Sequence, residues 1–200
     1  MKQLTWYQAI IVDMDGTLYY QKPVRLAMLG KMMTYFWRLS DFLIIWKYRK
    51  LYERGLSEEE RMARLPNRAP QAIQEWMIHR ALPFVHKYRD AELIDLLEKV
   101  ASKNVSVIVY SDYPVKEKLE AIHLSPEQCY SAADLGTMKP EASRLINILL
   151  AQGINPKNCL VIGDRYEKDG KLAENMNADC LILPKGKKIR RRLYLEIADI

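Results

Sequence analysis

Four short apolar runs constrain the fold more than anything else in this chain. AIIVD (9–13), VSVIVYS (105–111), CLVIGD (159–164) and CLIL (180–183) are rich in β-branched residues and too short for helices. They read as strands buried on both faces. Helical patterns lie between the later ones. AELIDLLEKVAS (91–102) puts Leu93, Leu96, Leu97 and Val100 on one stripe. PEASRLINILLAQG (140–153) has Pro140 near its start and Gly153 as its stop, and EKDGKLAENM (167–176) is a weaker helix because of Gly170. This alternation implies right-handed crossovers and a mainly parallel sheet with helices on both faces. Ligands of such sheets sit at the carboxyl ends of the strands, where Asp13, Ser111 and Asp164 each fall at a strand's last residue.

Residues 20–88 break the rhythm. They hold no strand-like run but three helical stretches, at roughly 23–53, 57–65 and 70–82, and Ser57 with Glu60 forms a capping-box pattern. This is a helical lobe inserted after the first strand. Within YFWRLSDFLIIWKYRK (35–50), Phe36, Leu39, Leu43 and Trp46 recur at helical spacing. The simplest reading is a helix packing into the lobe's own core. The alternatives are an apolar wall over a hydrophobic substrate, a dimer contact, or docking on a membrane surface with Lys47, Arg49 and Lys50. Arg54, Arg64 and Arg68 lie near turns of the lobe, where a lid would present them to an anion.

A length of 200 residues suits one domain carrying such a lobe, and 49% hydrophobic with 28% charged residues excludes a disordered chain. Cys129, Cys159 and Cys180 are widely spaced without a CxxC pair, which argues against a disulfide framework or zinc site and fits a reducing, cytoplasmic compartment. The first residues do not read as a signal segment, and the longest apolar run, FLIIW (42–46), is too short to span a bilayer. The net charge is +6. Much of it sits in KGKKIRRR (185–192), which reads as a solvated helix start and surface rather than a nucleic-acid site. His79, His86 and His123 share no metal-like spacing.

The chemistry-bearing pieces lie at strand ends or in adjacent loops: DMDGT with Asp13 and Asp15, YSDYP with Ser111, GTMKP with Lys139, and GDRYEKDG with Asp164 and Asp169. Two acids one residue apart at the mouth of a buried strand repel each other, and a positive partner such as a metal ion offsets that. Hard oxygen ligands suit Mg²⁺, a carboxylate can attack phosphorus, and lysine and hydroxyl can hold the remaining phosphoryl oxygens. A second carboxylate can protonate the leaving oxygen and later activate water. Gly16 allows a sharp turn after the strand.

The ordered set DMDGT, YS, KP, GDRxxxD resembles the haloacid dehalogenase (HAD) superfamily, and within it the phosphatases with a helical cap inserted after the first motif. The resemblance spans about 8–20 and 88–184. It implies an α/β fold, with a parallel-sheet, Rossmann-like three-layer core at 1–19 and 89–200 and an inserted all-helical cap at 20–88. By resemblance, Asp13 is nucleophile and Mg²⁺ ligand. Asp15 is the general acid/base and lends the metal its backbone carbonyl. Ser111 binds the phosphoryl group, Lys139 neutralises it and Asp164 ligates Mg²⁺. Gly16 and Thr17 support the site, and Asp169 holds a metal-bound water or orients Lys139. The acid at 15 favours phosphate-ester hydrolysis, or phosphoryl transfer between sugar positions, over carbon–halogen cleavage. Asp112 stands where the family often has asparagine, and LYY after Thr17 replaces a more usual polar pair. The expected activity is a Mg²⁺-dependent phosphatase acting on a small phosphorylated metabolite, as monomer or homodimer. The rivals are a sugar phosphomutase and a non-catalytic basic binding protein of the same fold.

Overall fold

The computed structural model describes residues 3–126, 128–132 and 134–198. Five parallel strands form one sheet in the order β3-β2-β1-β4-β5: β1 (Ala9–Val12), β2 (Ser106–Ser111), β3 (Gln128–Ser131), β4 (Cys159–Gly163) and β5 (Asp179–Ile182). The central position of β1 explains its unbroken apolar run, because both faces are covered. Alternate residues go to opposite sides. Ile10 and Val12 join Val107, Val109, Leu160 and Ile162 in one cluster, which α6 (Ala91–Ala101) covers with Leu93, Leu96, Leu97 and Val100. Ala9, Ile11, Ile108, Tyr110 and Val161 face the other way, against Leu145 and Leu149 of α8 (Ser143–Ala151) and Leu172 and Met176 of α9 (Lys171–Met176). The result is the expected three-layer α/β core. On its first side it also receives α7 (Lys116–Ile122) and α10 (Lys187–Ala198).

β3 has no counterpart among the four strands expected. Its sequence QCYS is polar and half-exposed, as a sheet edge allows, so no apolar run announces it. The helix expected from Pro140 begins at Ser143, whose amide donates to the Glu141 carboxylate at 2.7 Å. Gly170 does not weaken its segment: the chain makes one wide turn over Tyr166–Gly170 and continues into α9, and a side chain at 170 would overlap the Tyr166 ring.

Between β1 and α6 lie α1 (Gln21–Thr34), α2 (Leu39–Glu53), α3 (Glu58–Ala63), α4 (Ala69–Ile73, continued by a wide turn to His79) and α5 (Leu82–Lys87). The single helix expected over 23–53 is two. It breaks at Tyr35, a short tight turn covers Phe36–Arg38, and Asp41 opens α2 from its first turn with a 2.7 Å bond from Arg38 Nε. Arg80 stacks on the Tyr35 ring at 4.1 Å, a tertiary contact invisible to periodicity. The Ser57–Glu60 capping box forms reciprocally, at 3.2 and 2.8 Å. Ile44, Tyr48, Leu51 and Tyr52 of α2 pack with Leu65, Ala69 and Ala72 in a cluster that Tyr113 and Met138 of the α/β core join, whereas Val24 and Val85 pack into the cluster under the sheet.

The aromatic stripe is where the simplest reading fails. Phe36, Leu39, Leu43 and Trp46 do not pack into a core; they are exposed, Leu43 by 69% and Trp46 by 58%. Helical spacing puts Leu39, Leu43 and Trp46 on the side of α2 opposite Ile44, Tyr48 and Tyr52. α1 repeats the arrangement, with Val24 inward and Leu26, Leu29 and Met33 outward. A helix apolar all round has two candidate inner faces, and pattern alone does not choose between them. The basic run 185–192 is an exposed helix start as expected, except at one residue. Arg190 is buried, with Nη2 bonded to the Gly16 carbonyl at 2.6 Å and Nη1 to the Thr17 carbonyl at 3.0 Å. Nη1 also meets Asp90 at 3.2 Å. Among the described residues, no helix is long and apolar enough to cross a membrane.

Candidate active site

The residues of the four sequence motifs come to the carboxyl end of the sheet. Asp13 follows β1 directly, its amide donating to the Ile162 carbonyl at 2.9 Å in continuation of the β1–β4 ladder. Its Oδ1 accepts from Lys139 Nζ at 2.6 Å and its Oδ2 from Thr17 Oγ1 at 3.2 Å. Lys139 Nζ also bonds Asp169 Oδ1 at 2.8 Å, and Asp169 Oδ2 accepts from the Arg165 amide at 3.2 Å. One carboxylate oxygen each from Asp13, Asp164 and Asp169 lies within 4.8 Å of the others. Asp164 Oδ1 is buried without a hydrogen-bond partner, with Arg165 Nε 3.7 Å away.

This donor set fits a hard divalent cation. Three carboxylates against the Lys139 ammonium and the Arg165 guanidinium leave a formal charge of −1 in a largely buried space, and every candidate ligand atom is oxygen. Burial first, then the neighbouring Asp169 charge, pushes the Asp13 carboxyl up to about 7 against the pull of Lys139. Burial likewise raises Asp164. Burial would favour neutral Lys139, but Asp13 and Asp169 together hold its ammonium protonated more firmly than usual. One ammonium bonded to two of the three acids thus stays charged while the acids remain short of positive charge.

Asp15 faces elsewhere. Its Oδ1 accepts from Lys118 Nζ of α7 at 2.6 Å and from the Tyr19 hydroxyl. Burial would raise its pKa, but Lys118, Tyr19 and the Arg49 charge from α2 outweigh it and hold Asp15 below the usual carboxylate range. Ser111 ends β2, buried, its Oγ accepting from the Tyr113 amide at 3.4 Å. Asp112 is also buried at the site. Its Oδ1 accepts from the Lys139 amide at 3.0 Å, its Oδ2 pairs with Lys168, and its carbonyl accepts from the Tyr52 hydroxyl. Lys118, Lys168, Arg190 and Tyr19 are site residues that sequence reasoning misses. Only Tyr19, inside the altered LYY, carried a signal. Of the lobe arginines singled out, Arg68 lies 3.8 Å from Asp41; the lobe arginine whose charge reaches Asp15 is Arg49.

Two glycines make room. Gly16 adopts φ +101°, and a side chain there would also overlap the Asp164 carboxylate. A Cβ at Gly163 would overlap the Asp169 carboxylate. Gly163→Ala is therefore expected to lower the melting temperature by about 5 °C. A melting curve superimposable on wild type would remove the steric argument.

A haloacid dehalogenase-like hydrolase family model matches residues 7–177. In fold the chain is similar to β-phosphoglucomutase from Clostridium difficile (16% identity, TM-score 0.62, 96% of this chain and 97% of that one). It is similar to the HAD phosphatase from Thermococcus onnurineus (16%, 0.59, 90% and 87%). A HAD-type protein from Bacillus subtilis bound to magnesium is a third such structure (14%, 0.61, 98% and 99%). No curated protein matches the sequence at a significant level.

Proposed function

The chain belongs to the haloacid dehalogenase-like hydrolases, and from that premise we propose that it is a Mg²⁺-dependent phosphatase of small phosphorylated metabolites, working through a phosphorylated Asp13. The observation that carries this reading is the cluster of Asp13, Asp164 and Asp169 beside Lys139, with its surplus negative charge and an Asp164 oxygen that accepts no hydrogen bond. Asp13, Asp164 and the Asp15 backbone carbonyl would hold Mg²⁺, with Asp169 beside them. When bound, the ion supplies positive charge against the acids and the phosphoryl oxygens.

Asp13 attacks phosphorus with one carboxylate oxygen, and the ester oxygen leaves with the bonding pair. Lys139 already touches Asp13, so its ammonium sits where phosphoryl charge accumulates. The bond that Ser111 Oγ accepts from the Tyr113 amide leaves its own hydrogen to donate to a phosphoryl oxygen. Asp15, held ionised by Lys118, suits the second step, in which it takes a proton from the water that cleaves the acyl phosphate. To protonate the leaving oxygen in the first step it must first part from Lys118 and take up a proton. The helices of 20–88 act as a cap: Tyr52 bonds the Asp112 carbonyl, and its ring meets Tyr113 at 4.6 Å. Such a cover excludes bulky phosphoproteins and loose water. Three unpaired cysteines support a reducing cytoplasm as the compartment.

The likeness to β-phosphoglucomutase, together with the acid at 15, favours a mutase as the second reading. A panel of phosphorylated metabolites with Mg²⁺, set beside a phosphopeptide, separates the readings by product. Free inorganic phosphate from a small ester is expected. An isomerised sugar phosphate would make the enzyme a mutase, faster turnover of the peptide would overturn the substrate class, and no Mg²⁺-dependent turnover at all would leave a binding protein.

A further inference from the structure

α1 and α2, consecutive helices joined by a tight turn, each leave an outward apolar stripe without protein cover. Met33 is 81% exposed and Trp37 64%, and Phe36 and Trp37 stand exposed at the turn between the helices. Charge follows the same segment. Residues 21–54 carry eight Lys and Arg against two acids, a formal +6 equal to that of the whole chain; among them Arg38 is paired with Asp41, Lys31 lies over the Phe84 ring and the Arg49 charge reaches Asp15, so the outward sides rely on the others. One of the two acids, Asp41, is buried on Arg38 and the Trp76 indole. Lys22 and Lys50 share the outward stripes with the leucines, and the Lys50 ammonium sits 3.9 Å from the centre of the Trp46 ring.

We propose that this face docks the protein on an anionic lipid bilayer, with Trp37, Trp46 and the neighbouring leucines entering the headgroup boundary and Lys22 and Lys50 meeting lipid phosphates. Helices bearing exposed Trp, Phe and Leu with surrounding Lys and Arg lie in the interface plane of membranes. A symmetric contact with a second copy would set this positive face against itself, which charge opposes. A wall over an apolar substrate is opposed by direction, because the stripe points away from the face that packs toward Tyr113 and Met138. Docking here would leave the catalytic cluster on the far side of the α2 packing face.

Flotation of the whole protein with vesicles tests this, using phosphatidylcholine alone and phosphatidylcholine mixed with phosphatidylglycerol. The protein is expected to float with the mixed vesicles and not with the neutral ones, and to detach as salt rises. Trp37→Ser/Trp46→Ser lowers the partition at least about tenfold. Lys22→Glu/Lys50→Glu, which keeps the apolar ladder, lowers it by a similar factor, since each base near an anionic leaflet contributes about fivefold. Circular dichroism melting of both variants is expected to match wild type; should the tryptophan variant unfold, the lysine variant decides alone. Absence from the mixed vesicles, equal flotation with both kinds, or unaltered partition in the lysine variant would overturn the proposal. So would a sedimentation-velocity dimer that the variants dissociate while vesicle behaviour stays the same, which would make the face a contact between copies.

Discussion

Asp13→Asn is expected to reduce phosphate release from a generic aryl phosphate by at least about 10³-fold, because an amide cannot form the acyl phosphate. Unchanged turnover would remove Asp13 from the mechanism. The same variant has a second signature, in stability. Asp13 binds its proton more tightly in the folded chain than an ordinary aspartate does, its carboxyl being pushed up to about 7 by burial. Between pH 4 and 7 the folded state therefore holds more protons than the unfolded one, and stability falls as pH rises. With a chelator present, the asparagine variant escapes this loss, since its amide does not titrate. Relative to wild type the variant is expected to gain on the order of 2–4 kcal/mol across that window. Saturating Mg²⁺ should restore wild type and leave the variant little changed. Parallel denaturation curves at every pH would show that the acid is not strained by its neighbours.

Arg190→Gln carries the second large effect. The guanidinium is buried with Asp90, whose Oδ2 also accepts from Tyr194 at 2.9 Å and whose Oδ1 caps α6 through the Leu93 amide at 3.4 Å. Removing one partner leaves a buried charge uncompensated, at a cost of about 3–5 kcal/mol. For a chain of this size the melting temperature should fall by about 10 °C. The loss should not stay local, since Arg190 holds the carbonyls of Gly16 and Thr17 beside Asp13. Asp90→Asn/Arg190→Gln should cost less than the two single changes added together, because they share one interaction. A melting temperature within about 1 °C of wild type would sink the argument.

The sheet and the acidic cluster were legible because strand ends gather what the chain scatters. A run such as IIVD announces both a buried strand and the place where its last residue emerges. What stayed hidden depends on contacts between distant elements. Lys118 and Lys168 look like any surface lysine until α7 and the turn before α9 carry them onto Asp15 and Asp112. Arg190 sits in a run that reads as solvated, yet it points inward because Asp90 and two loop carbonyls need a donor there. The outward stripe of α2 has the same period as its buried stripe. Only the packing of Tyr48 and Tyr52 reveals which one faces the protein.

Asp112 joins two hydrogen bonds that serve different ends: its carbonyl holds Tyr52 of α2, and its carboxylate holds the backbone of Lys139. On the function proposed above, a single amino acid thus ties the gate to the grip on phosphate. Lineages that reshape the gate for a new metabolite would have to retune that grip as well, so that selectivity and catalytic power diverge together rather than one at a time.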